Sequence, residues 1–462
     1  MAEENKNAGP SFVRHGASAE KERKRDRGEY NAARQSLPKP SAMLSTLLPR
    51  GLLVLATLSL HASATLLYAS SYSGDVTTLN LTLAAPAASR ARCTGATSPP
   101  ASGTLVTVSS TDGCAGSPAW LELDYDNALL YCSDEGLTKA TGSMSSFRTT
   151  DDGELQLLNK IDTKQGPVSS VLYGKGGLAV AHYAGSMLNL IDVTDPEHLS
   201  PFGNHTFSME APGPNRGRQD APHPHQAVLD PTGAYILVPD LGADLVRVFA
   251  ISEEDGLSVT AVEPLVAAPG SGPRHVSFVE KEDGGWFMYL ISELTNTITG
   301  YDITYGEEGP TFDESFVIPT HGEGEEVPEG AAAAEILVSP DGRFLTISSR
   351  MEETFTIPNP NPSAPEEGSE EEESPAEIAA DTLVTFSIDR ATGALALVQK
   401  APSGGRGPRQ FIINKEGSLV AVALQTDNRV AILGRDVKTG QIGGIIAAAV
   451  VPGGVTAVIF NE

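Results

Sequence analysis

Two histidines on either side of a proline are the first residues of this sequence whose spacing could support chemistry. His223 and His225 stand in the segment APHPHQAVLDPTG, just before an apolar run. Alternate residues of an extended segment point the same way, so the two imidazoles could share a metal ion. A metal site would still need further carboxylate or histidine ligands. We therefore favour metal-free acid/base catalysis and expect no cofactor.

Polar residues recur at matching places elsewhere in the chain. Arg274 and His275 begin an apolar run in GPRH, and Arg409 begins another in GPRQ. A second group stands where the following apolar runs end, and its members are His182, Asp240, Glu293, Arg350 and Gln425. Arginines pair with carboxylates and phosphates, while a histidine or glutamate can move a proton. The set is typical of a site for a small anionic substrate, although such residues can also serve only to bind turn backbones, as we expect of Asp240.

The elements that position these residues are repeated along the 462-residue chain. Six stretches share one pattern, namely an apolar strand, a turn with glycine, a second strand, a polar break and a third strand; they start at residues 117, 166, 223, 272, 332 and 407. Residues 65–81 form a weaker seventh unit, which the run 453–460 could complete. The pattern predicts an all-β fold, a seven-bladed β-propeller of four-stranded antiparallel blades over residues 65–462. Separate β-sandwiches are the alternative, and the shared repeat disfavours them.

Two acidic segments rich in glycine and proline interrupt the repeats, at about 304–330 and 357–377. We expect both to be solvent-exposed loops, the second lying between two strands of one blade. The glutamates of the second segment lack the ligand spacing of an EF-hand loop, so no calcium site is expected there.

The amino-terminal region indicates secretion. Residues 1–42 are polar and are expected to be a disordered extension, and translation could begin at Met43. Residues 43–64 combine Arg50, an apolar core and small residues, which is typical of a signal peptide cleaved after Ala64. The alternatives are a signal anchor or a buried strand. We expect a secreted or cell-surface protein with no membrane span in the mature chain, and the sequons at Asn80 and Asn204 agree with this.

The three cysteines, Cys93, Cys114 and Cys132, fit one disulfide and one thiol in an oxidising compartment. Cys93–Cys114 is the first choice, because it would close a loop rich in serine, glycine and threonine. None of the three lies in a CxxC or cysteine/histidine spacing, so zinc is not expected.

The net charge of −27 argues against nucleic acid and anionic membranes as partners. Local arginines, rather than the net charge, would set the potential of an anion-binding pocket. We expect a monomer that binds a small anionic lactone or carboxylate.

Four phrases together resemble the lactonase family of seven-bladed propellers, which includes bacterial 6-phosphogluconolactonases and fungal 3-carboxy-cis,cis-muconate cyclases. The phrases are HPHQAVLDPTGAYILVPDLGADLVRVF, GPRHVSF, AAAEILVSPDGRFLTISSR and GRGPRQFIINKEGSLVAVALQTDNRV, and the similarity is strongest from 220 to 435. The site of the cyclase branch is a histidine, an arginine, a glutamate and a second arginine on successive blades, without a metal. Matched phrase by phrase, these residues are His225 (or His223), Arg274, Glu293 and Arg350.

The sequence departs from the family at SEL (292–294), SSR (348–350) and AHY (181–183), where relatives usually carry an asparagine. These departures leave the substrate specificity open. They also make His182 peculiar to this chain.

The resemblance implies an enzyme that opens or forms a lactone on a small carboxylated substrate. Arg274 and Arg350 would hold carboxylates, while His225 and Glu293 would move the proton. The remaining candidates would contact the substrate, and they are His223, His182, His275, Arg409 and Gln425. The alternative is a non-catalytic secreted or surface glycoprotein, an antigen or adhesin, because sugar-phosphate and muconate metabolism are cytosolic.

Overall fold

The structure, a computed structural model, describes residues 64–84, 102–362 and 375–462. These residues form β-strands joined by turns and loops, and none of them forms a helix that could cross a bilayer. The predicted extension (1–42), nearly all of the predicted signal peptide (43–64) and Cys93 lie outside the described residues.

Seven four-stranded antiparallel sheets, here numbered as blades 1 to 7, account for nearly all the strands. Blade 1 contains β1 (Ala64–Ser71), β2 (Val76–Leu83) and β3 (Gly103–Thr111). Blade 2 contains β4 (Pro118–Asp124), β5 (Leu129–Asp134), β6 (Thr141–Thr149) and β7 (Leu155–Lys164). Blade 3 contains β8 (Pro167–Tyr173), β9 (Gly177–His182), β10 (Met187–Asp192) and β11 (Ser200–Thr206). Blade 4 contains β12 (Val228–Leu229), β13 (Tyr235–Asp240), β14 (Leu245–Ile251) and β15 (Val259–Val266). Blade 5 contains β16 (Pro273–Glu280), β17 (Trp286–Ser292), β18 (Thr297–Gly306) and β19 (Gly309–Pro319). Blade 6 contains β20 (Ala332–Val338), β21 (Phe344–Arg350), β24 (Thr382–Ile388) and β25 (Leu395–Pro402), with a separate hairpin of β22 (Phe355–Pro358) and β23 (Glu377–Ala380). Blade 7 contains β26 (Pro408–Ile413), β27 (Leu419–Leu424), β28 (Arg429–Arg435) and β29 (Ile442–Val450), and the last strand is β30 (Val455–Phe460).

The last strand closes the ring. β30 pairs antiparallel with β1, for example Leu67 with Phe460 and Ser70 with Ala457, and so becomes the innermost strand of blade 1. Closure joins the two ends of the propeller by backbone hydrogen bonds and removes the open edges that it would otherwise have. The predicted seven-bladed propeller of four-stranded antiparallel blades, including the closing strand, is confirmed.

The hydrophobic core consists of seven clusters, one between each pair of neighbouring blades. Most of the second strands contribute to two clusters, because successive side chains of a strand point to opposite faces. In β9, Leu178 and Val180 pack towards blade 2, whereas Ala179 and Ala181 pack towards blade 4. Apolar packing on both faces holds the blades at fixed positions around the axis.

Buried aspartates fix the strand ends that face the candidate site. Asp240 is fully buried and accepts hydrogen bonds from the backbone N–H of His223 (2.7 Å) and from Nε of Arg247 (2.8 Å). It also accepts from the N–H of Ala243 in the following turn (3.1 Å). Asp240 therefore holds the HPH segment against blade 4, which confirms the expectation that it binds turn backbone.

The prediction of an acidic loop over 304–330 is wrong for residues 304–319. These residues belong to β18 and β19, which form the two outer strands of blade 5. An outer strand exposes one face to solvent, so it tolerates the acidic residues that resemble a loop composition. The second acidic segment does lie between strands of one blade, β21 and β24, and its residues 363–374 fall outside the described ranges.

The disulfide prediction is also wrong. Cys114 is bonded to Cys132, whose Cα lies 5.8 Å away, within the normal range for a disulfide. Cys114 lies after β3, where it packs against Cys132 of β5 and against Phe147 in the cluster between blades 1 and 2. Sequence spacing does not reveal this contact, because it depends on how the first two blades pack.

Candidate active site

Most of the candidate residues lie together at one end of the propeller axis. Arg274 and His275 are the second and third residues of β16, and Arg409 is the second residue of β26. Both strands are innermost in their blades and contact β20, which lies between them. Glu293 directly follows β17, and Arg350 ends β21. The ring thus brings residues of blades 5, 6 and 7 together at the amino-terminal ends of the inner strands.

Glu293 is surrounded by three arginines. Its Oε1 lies 2.7 Å from Nη2 of Arg218, and its Oε2 lies 3.1 Å from Nε of Arg274. Nη2 of Arg350 lies 3.3 Å from the same Oε2. Arg274 is only 1% exposed, and it also donates to the carbonyl of Ala334 at 2.6 Å. Glu293 therefore aligns three guanidinium groups that would otherwise repel one another.

The arginines keep Glu293 ionised. Burial alone would raise its pKa, but the charges of Arg350, Arg274 and Arg218 lower the pKa of Glu293 to about 2. A carboxylate with this pKa is a poor proton carrier at neutral pH, because general acids and bases work best near the operating pH. The geometry therefore favours Glu293 as an organiser of arginines over its predicted role in proton transfer.

A fourth arginine approaches the axis from blade 7. Nη2 of Arg409 lies 3.3 Å from Oε1 of Glu135, which also accepts the O–H of Tyr72 at 2.5 Å. Burial, with a smaller contribution from the Glu135 charge, raises the pKa of Tyr72 to about 12, so this phenol keeps its proton. The four arginines outnumber the two glutamates of these ion pairs, which leaves an excess of positive charge at the site.

Three buried side chains form a hydrogen-bonded row beside the arginines. Nδ1 of His225 lies 3.2 Å from Nε2 of His275, and Nδ1 of His275 lies 2.8 Å from Oε1 of Glu335. A carboxylate only accepts, so Nδ1 of His275 carries the proton and its Nε2 accepts from Nδ1–H of His225. Nε2 of His225 then keeps a free lone pair, and it has no hydrogen-bond partner among the described residues.

Burial and the nearby charges keep His225 neutral. Desolvation, followed by the charges of Arg274, His275 and Arg409, lowers the pKa of His225 well below its ordinary value of 6.5. At neutral pH His225 is therefore an imidazole that can accept a proton at Nε2. This is the protonation state that a general base requires.

His223 has a different role from His225. Its Nδ1 lies 3.0 Å from the carbonyl of Tyr183, its Nε2 lies 3.0 Å from Asp220, and its ring stacks on Tyr183 at 4.3 Å. Both nitrogens of His223 are occupied, so the geometry favours His225 as the working histidine and His223 as its support. In residues 64–84, 102–362 and 375–462 no group of three or more histidine, cysteine, aspartate and glutamate residues is arranged to hold a metal ion.

The structure does not bring His182 to the cluster. Its side chain is fully buried, its Nδ1 lies 3.1 Å from the carbonyl of Lys164, and burial lowers its pKa to about 4. The next residue, Tyr183, faces the site instead, since adjacent residues of an extended strand point to opposite faces. The expected substrate contact of His182 is therefore not supported. Gln425 follows β27, and its backbone N–H donates to the carbonyl of Gly407.

Five residues of the site were not predicted from the sequence. Tyr72, Glu135 and Tyr183 each directly follow the strand next to the innermost one in their blade, as Glu293 does, so this position of the repeat was a usable signal for all three. Glu335 is the only charged residue of β20 (AAAEILV), which was a usable signal. Arg218 lies in the long connection between β11 and β12, where the repeat gives no position.

Comparison with known proteins agrees with the fold. The model of a family described as "Lactonase, 7-bladed beta-propeller" matches residues 94–460. A protein of Arthroderma benhamiae named "Probable 6-phosphogluconolactonase" is 29% identical over 340 residues, covering 73% of this chain and 78% of that protein. A 6-phosphogluconolactonase of Formosa agariphila is 27% identical over 365 residues, covering 78% of this chain and 93% of that protein. The solved structure of a periplasmic gluconolactonase from Pseudomonas aeruginosa shares the fold, with a TM-score of 0.64 at 24% identity over 86% of this chain and 99% of that one.

Proposed function

Because this chain belongs to the lactonase family of seven-bladed β-propellers, we propose that it hydrolyses the lactone ring of a small acidic sugar derivative. The observation that carries the proposal is the neutral base His225 beside a buried group of arginines with an excess of positive charge. A base without the arginines would not select an anion. The arginines without the base would bind an anionic lactone but would not catalyse its hydrolysis.

The arginines supply substrate binding. Arg350 and Arg218 keep 14% and 42% of their side chains exposed, so both can turn from Glu293 towards a substrate carboxylate or phosphate. Arg409 adds a third cation, of which 16% of the side chain is exposed. Planar guanidinium groups bind such anions through paired hydrogen bonds, which fixes the orientation of the ring.

His225 supplies the proton transfer. Its Nε2 takes a proton from water as the water oxygen bonds to the lactone carbonyl carbon. The negative charge that develops on the carbonyl oxygen is stabilised by a neighbouring guanidinium group. When the bond between the carbonyl carbon and the ring oxygen breaks, His225 returns the proton to that oxygen. The product is a hydroxy acid, which ionises at neutral pH.

Ring opening is favoured over ring formation by the comparisons, since the relatives described above are named as lactonases. In the cyclising direction, a substrate carboxylate would add to a double bond and an acid would protonate the neighbouring carbon. A neutral His225 holds no proton on Nε2 to deliver to that carbon, whereas its free lone pair can accept a proton from water during hydrolysis.

A substrate panel that varies only the charge tests the proposal. Hydrolysis above the spontaneous rate is measured for 6-phosphogluconolactone, for a lactone of a sugar diacid and for neutral glucono-lactone, with 3-carboxymuconate as the cyclase substrate. We expect the acidic lactones to have a kcat/KM at least about tenfold above that of the neutral one, since one charge-assisted contact contributes about 1.4 kcal/mol or more. Equal rates on neutral and acidic lactones would contradict the role of the arginines. An inactive panel would favour the non-catalytic glycoprotein.

We also propose that the protein acts outside the cytosol. The Cys114–Cys132 disulfide supports an oxidising compartment, as does the signal peptide predicted from the sequence. Of the two sequons, Asn204 is exposed on the outer strand β11, whereas the Oδ1 of Asn80 is buried. We expect a glycan on Asn204 and none on Asn80. Glycosidase treatment of the secreted protein should change the mass of the Asn80→Gln variant but not that of Asn204→Gln, and retention in the cytosol would contradict the proposal.

A further inference from the structure

The row His225–His275–Glu335 continues beyond the base that the reaction uses. His275 and Glu335 are each 2% exposed, so neither offers an open surface to a substrate. Oε1 of Glu335 accepts from Nδ1 of His275 and from the backbone N–H of Ile336 (3.0 Å). Its Oε2 is buried and has no hydrogen-bond partner within the described residues. An unpaired buried carboxylate oxygen is costly to keep, which points to a role for this group.

Glu335 also lines a cavity on the propeller axis. This axial cavity has a volume of about 390 Å³, and its lining includes Trp120, Glu122, Gln226, Gln410 and Phe460. Trp120, Glu122, Gln410 and Phe460 lie further along their inner strands than Arg274 and Arg409, which stand at the strand beginnings. The cavity therefore approaches the row from the side opposite the arginine cluster.

We propose that His275 and Glu335 are positioning residues that fix the tautomer of His225, and that the axial cavity ends at Glu335, so that removal of this side chain opens His275 to small solutes. Glu335 holds the proton of His275 on Nδ1, which makes Nε2 of His275 the acceptor for Nδ1–H of His225. Nε2 of His225 is thereby kept free as the base of the proposed lactone hydrolysis. After His225 takes the proton from water, the negative charge of Glu335, transmitted through His275, stabilises the imidazolium until the proton passes to the ring oxygen.

The charges around the row explain why it needs a carboxylate. His225 faces the cations Arg274, Arg409 and Arg350, all of which disfavour its protonated form. Nη1 of Arg274 also lies 3.4 Å from Nε2 of His275, so the arginine favours the same tautomer of His275. Glu335 is the one carboxylate in hydrogen-bond contact with His275 among the described residues, and the edge of Trp120 covers the ring at 6.0 Å.

The test compares Glu335→Gln with Glu122→Gln, which makes the same change in the same cavity. Glu122 accepts from the backbone N–H of Leu172 (3.2 Å) and has no hydrogen bond to the histidine row. In Glu335→Gln the amide N–H can face Nδ1 of His275 and invert both tautomers.

For Glu335→Gln we expect kcat on the accepted lactone to fall about 10²-fold or more, with KM within about twofold, as for loss of a general base. The acid limb of the pH profile should also move to lower pH, because protonated His225 loses its nearest carboxylate. Glu122→Gln should stay within about twofold of the wild type.

Chemical rescue tests the access route. Glu335→Ala extends the axial cavity to His275, so added formate should restore a large part of the lost kcat and should not affect Glu335→Gln. A wild-type kcat and pH profile in Glu335→Gln would overturn the proposal. An equal loss in Glu122→Gln, or a folded Glu335→Ala that formate does not rescue, would do so as well.

A measurement without substrate separates this proposal from the proposed function on which it rests. Imidazole ¹⁵N NMR should show the Nδ1–H tautomer for both His225 and His275 in the wild type, and its loss in Glu335→Gln but not in Glu122→Gln. If the tautomers behave in this way in a protein that opens no lactone, the proposed function fails while the positioning of His225 stands. An Nε2–H tautomer of His225 in the wild type would overturn the positioning itself.

Discussion

Replacing Arg274 by methionine should abolish activity and yet stabilise the fold. Burial, then the neighbouring Arg350, lowers the pKa of Arg274 from 12.5 to about 9, even though Glu293 acts in the opposite direction. This difference of about 3.5 in pKa corresponds to ~5 kcal/mol against the charged form in the folded protein. The substitution removes that cost and keeps a side chain of similar length in a site that is 1% exposed.

One loss opposes the gain. The carbonyl of Ala334 loses its 2.6 Å donor, which costs about 1–3 kcal/mol when the group stays buried. Glu293 keeps its contacts with Arg218 and Arg350, so its charge remains paired. The net expectation is a stabilisation of about 2–4 kcal/mol, in the range found when buried ion pairs are replaced by apolar residues. With an unfolding entropy of about 2.1 cal/mol/K per ordered residue, Tm should rise by roughly 2–5 °C.

The pH dependence of the gain has a definite sign. The folded-state pKa of Arg274 lies below its unfolded value, so the cost is complete at pH values below about 9 and declines as the pH rises above that value. Thermal unfolding followed by circular dichroism at pH 7 and pH 9.5 should therefore show a larger gain at pH 7.

Arg247→Met is the matched control. It leaves the fully buried Asp240 without its arginine, and we expect a loss of about 3 kcal/mol. If Arg274→Met lowers Tm as the control does, the ion pair with Glu293 is a net stabilising contact and the reasoning is refuted. Retained turnover in a stabilised Arg274→Met would instead remove Arg274 from the active site.

Three further predictions follow from the site and the disulfide. Arg218→Ala should raise KM for an acidic lactone about tenfold, with kcat within about twofold of the wild type. Arg218 is the most exposed arginine on Glu293, and the loss of one charge contact costs about 1.4 kcal/mol of binding free energy. An unchanged KM would exclude Arg218 from substrate binding. The kcat/KM profile should stay flat from pH 7 to below 6.5 and fall only when His225 is protonated, since its pKa is lowered; a fall centred at 6.5 or higher would contradict its burial among cations. Cys132→Ser should lower the free energy of unfolding by about 3 kcal/mol in urea without changing KM, as expected for opening a loop of 18 residues; equal stability would mean that the bond is dispensable.

The repeat made the fold predictable, because each blade must present the same alternation of apolar strands and turns to pack against its neighbours. The same repeat placed Arg274, Glu293 and Arg350 at corresponding strand ends, and the structure brings these three residues together. The repeat was aligned one residue out in blade 3, so it predicted His182 as a site residue in place of Tyr183. Neighbouring residues of a strand point to opposite faces, and His182 therefore points away from the site.

Other features depend on packing that the repeat does not encode. Arg218 reaches Glu293 from a connection that belongs to no blade, and Cys114 meets Cys132 only because the first two blades are in contact. The acidic residues of β19 resemble a loop, because composition reports solvent exposure more directly than it reports backbone conformation.

The most direct test of the central claim is the kcat/KM of His225→Asn relative to the wild type on the best acidic lactone of the panel. Asparagine keeps a donor towards His275 but has no basic nitrogen at the position of Nε2. We predict a fall of about 10²–10⁴-fold in kcat/KM, with Tm unchanged within a few degrees, as expected for loss of a general base. A folded His225→Asn that retains a kcat/KM close to that of the wild type would contradict the account.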